Sequence, residues 1–376
     1  MTAAPATLAP PGPRRPEIVV RGQRIPVVLP RRGDPRLKLS AVIMTLHVLG
    51  QTVLDFKVSI AQILVSILAG ALIEATVTYR RQHQLVWPAS GILTGSGVAF
   101  ILRASGTDHG DWWSLIGIGF FVVAVALSLA FKHLVRPGGR HLFNPSNVGL
   151  VWALLVIGPS QVFPQYLWWG PNAWGVAFAY AVILVGALWI LRPLRMLPMA
   201  ASFLVPFAVL IGVLAATGHR FVAIWHDGPI AGLSYWWTIA WSPELLVFVF
   251  FMISDPQTAP RSPLGRMAYG TLTALIAAGL TSFQPTEFGI KLAILSSLTV
   301  SCALVPLIER LTAASARPAR PVRPGQAQGW ARALRRPSVA AAVIIALAAP
   351  LNTAVLAGND QVMLIERGLT GEANAQ

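Results

Sequence analysis

The chain has 376 residues, 55% of them apolar and 11% charged, with a mean hydropathy of +0.63. A soluble domain of this size carries about 25% charged residues to cover its surface, so the composition excludes an ordinary water-soluble enzyme and indicates an integral membrane protein. The net charge of +15 raises the question of nucleic acid, but a basic excess on an apolar chain also sets orientation in a bilayer. The single cysteine, Cys302 in an apolar run, excludes an internal disulfide, an iron–sulfur cluster and a structural zinc site.

Residues 1–36 are rich in Pro and Arg and lack an apolar stretch of signal-peptide length, so they read as a disordered or loosely docked cytoplasmic arm. Apolar runs near the roughly 20 residues needed to cross a bilayer follow at about 38–54, 58–78, 86–102, 112–134, 145–163, 173–191, 197–217, 236–253, 267–283 and 289–308. An Arg/Pro-rich linker covers 311–337. An eleventh candidate span at 338–358 is interrupted by Pro350 and Asn352, and a tail occupies 359–376. The runs are apolar on every face, which fits helices and not the alternating ten-residue strands of a barrel. The expected fold is therefore an all-α polytopic bundle of ten transmembrane helices plus an eleventh.

With the N-terminus inside, 24 of the 29 Lys and Arg residues fall on the cytoplasmic side. Lys57, Arg103, Arg220, Lys291 and Arg367 fall on the other. This positive-inside split supports the span count and a multi-pass protein of the bacterial plasma membrane, and it demotes nucleic acid as a partner. The Arg/Pro-rich linker reads as a topology anchor or a contact with anionic lipid. The outward tail at 359–376 follows from the same count.

Polar residues inside spans are costly and become candidate sites. Glu74, in Leu72-Ile73-Glu74-Ala75-Thr76, reads either as an interfacial carboxylate paired with Arg80 or Arg81, or as an ion or polar site. In the third span Gly91 and Gly95 form a small-residue face that admits another helix or a flat ligand, with Ser90 and Thr94 one turn apart. Those hydroxyls can also bond back to their own helix. Asn144-Pro145 opens the fifth span as cap and first residue, followed by Asn147. Asp255-Pro256 ends the eighth, and a proline-studded loop follows. The seven His are scattered, and none stands at the spacing of a helical metal site. The paired tryptophans at 112–113, 168–169 and 236–237 read as interfacial anchors. No phosphate loop, nucleophile elbow or other soluble catalytic constellation is present.

The strings Ser90-Gly91-Ile92-Leu93-Thr94-Gly95, Gly139-Arg140-His141-Leu142-Phe143-Asn144-Pro145, Phe251-Met252-Ile253-Ser254-Asp255-Pro256 with Gly265 and Tyr269-Gly270, and Leu292-Ala293-Ile294-Leu295 resemble the motifs of the NqrB/RnfD family. These are membrane subunits of the sodium-pumping NADH:quinone reductase and of the Rnf ferredoxin:NAD oxidoreductase. The likeness runs from about Leu37 to Arg310 and implies a ten-helix domain over 37–310 that binds flavin, passes electrons with other membrane redox subunits, and is coupled in some complexes to ion movement.

By that resemblance Ser90, Thr94, Asn144, Asn147 and Asp255 become candidate contacts for a non-covalent flavin, FMN or riboflavin. The family's flavin-linking Thr motif is missing, because Gly158 to Gly170 contains no Thr, so covalent FMN is not expected. The family's Asp before the third-span Ser is also replaced, by Pro88-Ala89. The diverged pattern is similar to the UnbU-type branch encoded with actinobacterial enediyne biosynthesis genes. Two other classes remain open: an ion or small-solute permease on the same bundle, and a cofactor-free membrane scaffold.

Overall fold

A computed structural model describes residues 16–314 apart from 21, 137–138 and 171–172, together with residue 343. The eleventh candidate span, the tail and the linker beyond residue 314 lie outside the described residues. The part of the basic arm that is described pairs as a hairpin, β1 (Glu17–Val20) with β2 (Gln23–Val28), around a turn in which Gly22 takes φ +78°. β2 continues in parallel with β3 (Leu85–Val86), which ties the arm to the loop before the third span.

The helices follow in the order of the apolar runs. α1 (Pro35–Thr52) starts on Asp34, whose carboxylate accepts from the Arg36 backbone N–H at 2.9 Å. α2 (Ile60–Gln82) opens with a reciprocal capping box between Ser59 and Gln62 and ends at His83 in the left-handed conformation. α3 (Ala89–Ile101), α4 (Ile118–Leu134) and α5 (Pro145–Ile157) complete the first half. The second half is α6 (Ala173–Leu194), α7 (Leu197–Ala216), α8 (Gly232–Ala240), α9 (Pro243–Val247), α10 (Pro263–Thr281) and α11 (Glu287–Ala314). α9 runs on into a π-helix, Phe248–Ile253.

The structure is mostly helical, and five segments are long and apolar enough to cross a membrane: α2, α6, α7, Gly232–Ile253 and Glu287–Thr312. Three further helices are apolar but short. α3 and α5 have 13 residues each, about 20 Å at ~1.5 Å per residue, against a hydrocarbon core of ~30 Å. The expected runs at 86–102 and 145–163 shorten because their ends leave the helix. Leu102–Ala104 (β4) pairs antiparallel with Val162–Pro164 (β5), and Gly158 at φ +82° turns the chain between α5 and β5. All three residues of β4 are buried. Burial in protein is the condition under which non-helical backbone is tolerated in a membrane protein. The run at 112–134 likewise becomes helical only at Ile118, after Gly110 and Gly117 turn with positive φ.

The run at 236–253 is not one helix. It breaks at Trp241 and Ser242, where Pro243 lacks an N–H and disfavours helical backbone at the residue before it. Ser242 Oγ then caps α9 by accepting from Leu245 N at 3.2 Å. The broken segment is the centre of the molecule: 83% of the Gly232–Ile253 window is buried, against 28% for α2 and α7, which form the outer wall. Between β6 (Arg220–Phe221) and β7 (Ile230–Ala231) a short ribbon leads from α7 to α8.

Asp34 gives a pH handle outside the bundle. The Arg36 guanidinium, 2.6 and 3.0 Å from its oxygens, holds the Asp34 carboxyl below the usual carboxylate range. Its folded value lies below its unfolded one, so the stabilisation is present above the unfolded value and fades as pH falls through the folded one. Asp34→Ala is expected to cost about 1 kcal/mol at neutral pH, read as a lower unfolding midpoint, with the gap to wild type closing in acid.

Candidate functional site

Contacts sort the loops onto two ends of the bundle. One end carries the loops after α2, α4, α6 and the π-helix, where Arg140 meets residues 256–259 and Arg266 meets the Leu194 and Arg195 carbonyls. We call this the basic end. The opposite end carries β4, β5 and the loops that join α5 to α6 and α10 to α11.

At the basic end Glu74 is held by α4, 58 residues further along the chain. Lys132 Nζ donates to Glu74 Oε1 at 2.6 Å and to Ser90 Oγ at 2.9 Å, and His133 Nε2 lies 2.9 Å from Glu74 Oε2. The pairing with Arg80 or Arg81, one of the two readings of Glu74, is not found: both arginines are exposed at the end of α2, while Glu74 is paired with α4. Lys132 and His133 sit in the last turn of α4, where the helix dipole also favours positive charge. His133 Nδ1 is buried without a partner.

The glycine face of α3 is filled by a helix. A Cβ on Gly91 would strike the Gly70 carbonyl and one on Gly95 the Ser66 carbonyl, so α2 and α3 touch backbone to backbone. Thr94 Oγ1 donates to the Ser90 carbonyl at 2.9 Å, the back-bonding alternative noted above.

A second group forms around the start of α5. Asn144 caps the helix by accepting from Asn147 N, and its Nδ2 donates to the Met252 carbonyl at the end of the π-helix, 3.1 Å away. Asn147 Nδ2 donates to the Leu295 carbonyl and Thr299 Oγ1 of α11, at 2.9 and 3.0 Å. Its Oδ1 is buried and unbonded. Asp255 accepts from Gln257 N at 2.9 Å and faces His141 Nε2 at 3.4 Å. The guanidinium of Arg140 clamps the loop by donating to the carbonyls of Pro256, Gln257 and Ala259. The structure thus joins Asn144 and Asn147, with Asp255 three residues past the Met252 carbonyl that Asn144 holds, and joins Ser90 to Glu74 through Lys132.

Four charged residues toward the opposite end were missed as a site by the reading of the sequence. Glu244, just past the helix break, and Lys291 of α11 are an ion pair at 3.2 Å, with 8% and 3% of their side chains exposed. Glu287 accepts from Leu167 N at 2.5 Å and Trp225 Nε1 at 2.8 Å. Arg103 is buried with its guanidinium 4.0 Å from the centre of the Tyr166 ring. Ser242-Pro243-Glu244 inside an apolar run was the available signal. Trp169, expected as an anchor, is instead buried and donates to Glu244 at 3.2 Å.

No family model matches the chain. Among curated proteins, the D subunit of the ion-translocating oxidoreductase complex of Erwinia tasmaniensis is 26% identical over 343 residues, an alignment that covers 75% of this chain and 93% of that protein. The motif order and this likeness agree: the chain is similar to that protein, and its motifs resemble those of the RnfD/NqrB family.

Proposed function

We propose that the chain is a membrane electron-transfer subunit that works with other membrane redox subunits and holds a flavin, FMN or riboflavin, without a covalent bond. The likeness to a protein named for ion-translocating oxidoreduction supports the class. The observation that carries the cofactor is Asn147, whose Oδ1 is buried, unbonded and fixed in direction by the two bonds its Nδ2 makes to α11. Such an acceptor suits an imide N–H, and a buried acceptor left unmade costs about 1–3 kcal/mol. Asp255 adds a carboxylate on the loop that Arg140 holds. A bound flavin supplies one- or two-electron redox chemistry; the protein's part is to orient the ring, exclude water and set the local charge.

In the same proposal the basic end faces the cytoplasm of a plasma membrane and ten spans cross it, with α3 and α5 crossing as short helices completed by buried strands. Electron transfer there is coupled to ion movement, with Glu74 among the polar groups on the path. A role in enediyne biosynthesis rests on the branch resemblance alone.

The test is absorbance and mass of the full chain purified with its membrane partners. A flavin spectrum, released on denaturation and lost or reduced at least tenfold per folded protein in Asn147→Leu, is the expected result. Absence of flavin from the intact assembly removes the cofactor and leaves a scaffold.

A further inference from the structure

We propose that the break between α8 and α9 is a monovalent-cation site whose occupant is the tethered ammonium of Lys291, so that this chain takes no free cation at Glu244. Discontinuous helices inside membranes free backbone carbonyls, and these together with a carboxylate are what coordinate alkali ions there. Here both kinds of ligand are present and both are already engaged.

The carbonyls come first. Trp168 Nε1 donates to the Thr238 carbonyl at 3.2 Å, Tyr180 OH donates to the Trp241 carbonyl, and Ser242 Oγ reaches the Ile239 carbonyl at 3.5 Å. The carboxylates are equally committed. Glu244 faces Lys291 with one oxygen and accepts from Trp169 with the other. Glu287, one turn before Lys291 on α11, accepts from Leu167 N and Trp225 Nε1.

Charge closes the case against a mobile ion. Lys291 stands within electrostatic range of both carboxylates, Glu244 and Glu287, and Arg103 within range of Glu287. A third positive charge in this buried place would be uncompensated, and buried charge is tolerated only when paired. Lys291 Nζ is itself buried and finds no hydrogen bond of good geometry, so charge and proximity hold it, as they would hold an alkali ion. Removing the ammonium leaves a buried carboxylate beside a helix break, with a net negative charge that a free cation can neutralise.

The unfolding midpoint of the full chain in nanodiscs, measured in NaCl and in choline chloride at equal ionic strength, tests this. Wild type is expected to melt alike in both. Lys291→Met should gain about 5 °C in NaCl over choline, and Lys291→Met with Glu244→Gln should lose that gain. Three results overturn the proposal: a Na+ gain in wild type that Glu244→Gln abolishes, no Na+ gain in folded Lys291→Met, or a Lys291→Met chain that fails to fold in either salt while the double variant folds. Glu244→Gln assigns any wild-type Na+ gain: a gain it abolishes places a free ion at this break, and a gain it leaves intact belongs to another part of the chain and leaves Lys291→Met to decide. The flavin measurement reads absorbance and this one reads cation dependence, so each can fail alone.

Discussion

Glu74→Gln is expected to lower the unfolding midpoint of the purified chain by on the order of 10 °C, the counterpart of about 3–5 kcal/mol for stranding a buried charge. The reasoning starts from burial. Glu74 and Lys132 expose 15% and 9% of their side chains, and His133 exposes 10%. In the wild type the ammonium has a carboxylate at 2.6 Å and the Ser90 hydroxyl at 2.9 Å. In the variant only neutral partners remain for a group that cannot reach bulk water without moving α4.

The companion variant separates the charge from the packing. Glu74→Leu with Lys132→Met removes both charges at similar volume and is expected to return to within about 1–2 kcal/mol of wild type, since a buried pair replaced as a unit is often neutral. A double-mutant cycle should therefore show a coupling of about 2 kcal/mol or more. Additive single effects would mean the pair does not exist, and the electrostatic account of this end of the bundle would fall.

That pair also shows where the sequence could and could not be read. The helix starts are local events. Asn144-Pro145 carries its own cap and proline geometry, and the cap at Asn144 is found in the structure. Glu74 was visible as a carboxylate in an apolar run, but its partner was not, because Arg80 and Arg81 are near in sequence while Lys132 and His133 are brought near only by the packing of α4 on α2. Glu244 and Lys291 were hidden by a different cause. A hydropathy window averages one charge away, so a span broken at Ser242 looks continuous, and a lysine near a span's end is counted with the loop. The lengths of α3 and α5 were illegible for a third reason: a short strand such as β5, Val162–Pro164, is as apolar as the helix before it, and periodicity cannot separate the two over three residues.

The glycine face of α3 gives the second large effect, because it sets the position of the charged cluster. A Cβ on Gly95 would overlap the Ser66 carbonyl and come 2.8 Å from the Ile67 Cα, and all of these atoms are backbone. No rotamer change can relieve that, so α2 and α3 must separate. Gly95→Ala is expected to destabilise the chain by about 1–3 kcal/mol, although alanine is the better helix former by about 1 kcal/mol. Gly119→Ala is the internal control: nothing lies within 4 Å of its new Cβ, so there the helix preference acts alone and the midpoint should hold or rise.

Gly91→Ala goes further, because its Cβ would meet the Gly70 carbonyl and stand 2.6 Å from Glu74 Cβ. It should therefore destabilise more than Gly95→Ala and also weaken the Glu74 to Lys132 coupling measured in the double-mutant cycle, while Gly95→Ala, one turn away, leaves that coupling closer to its wild-type value. If both alanines lower stability equally and neither alters the coupling, the close approach of α2 and α3 is not what holds Glu74 against α4.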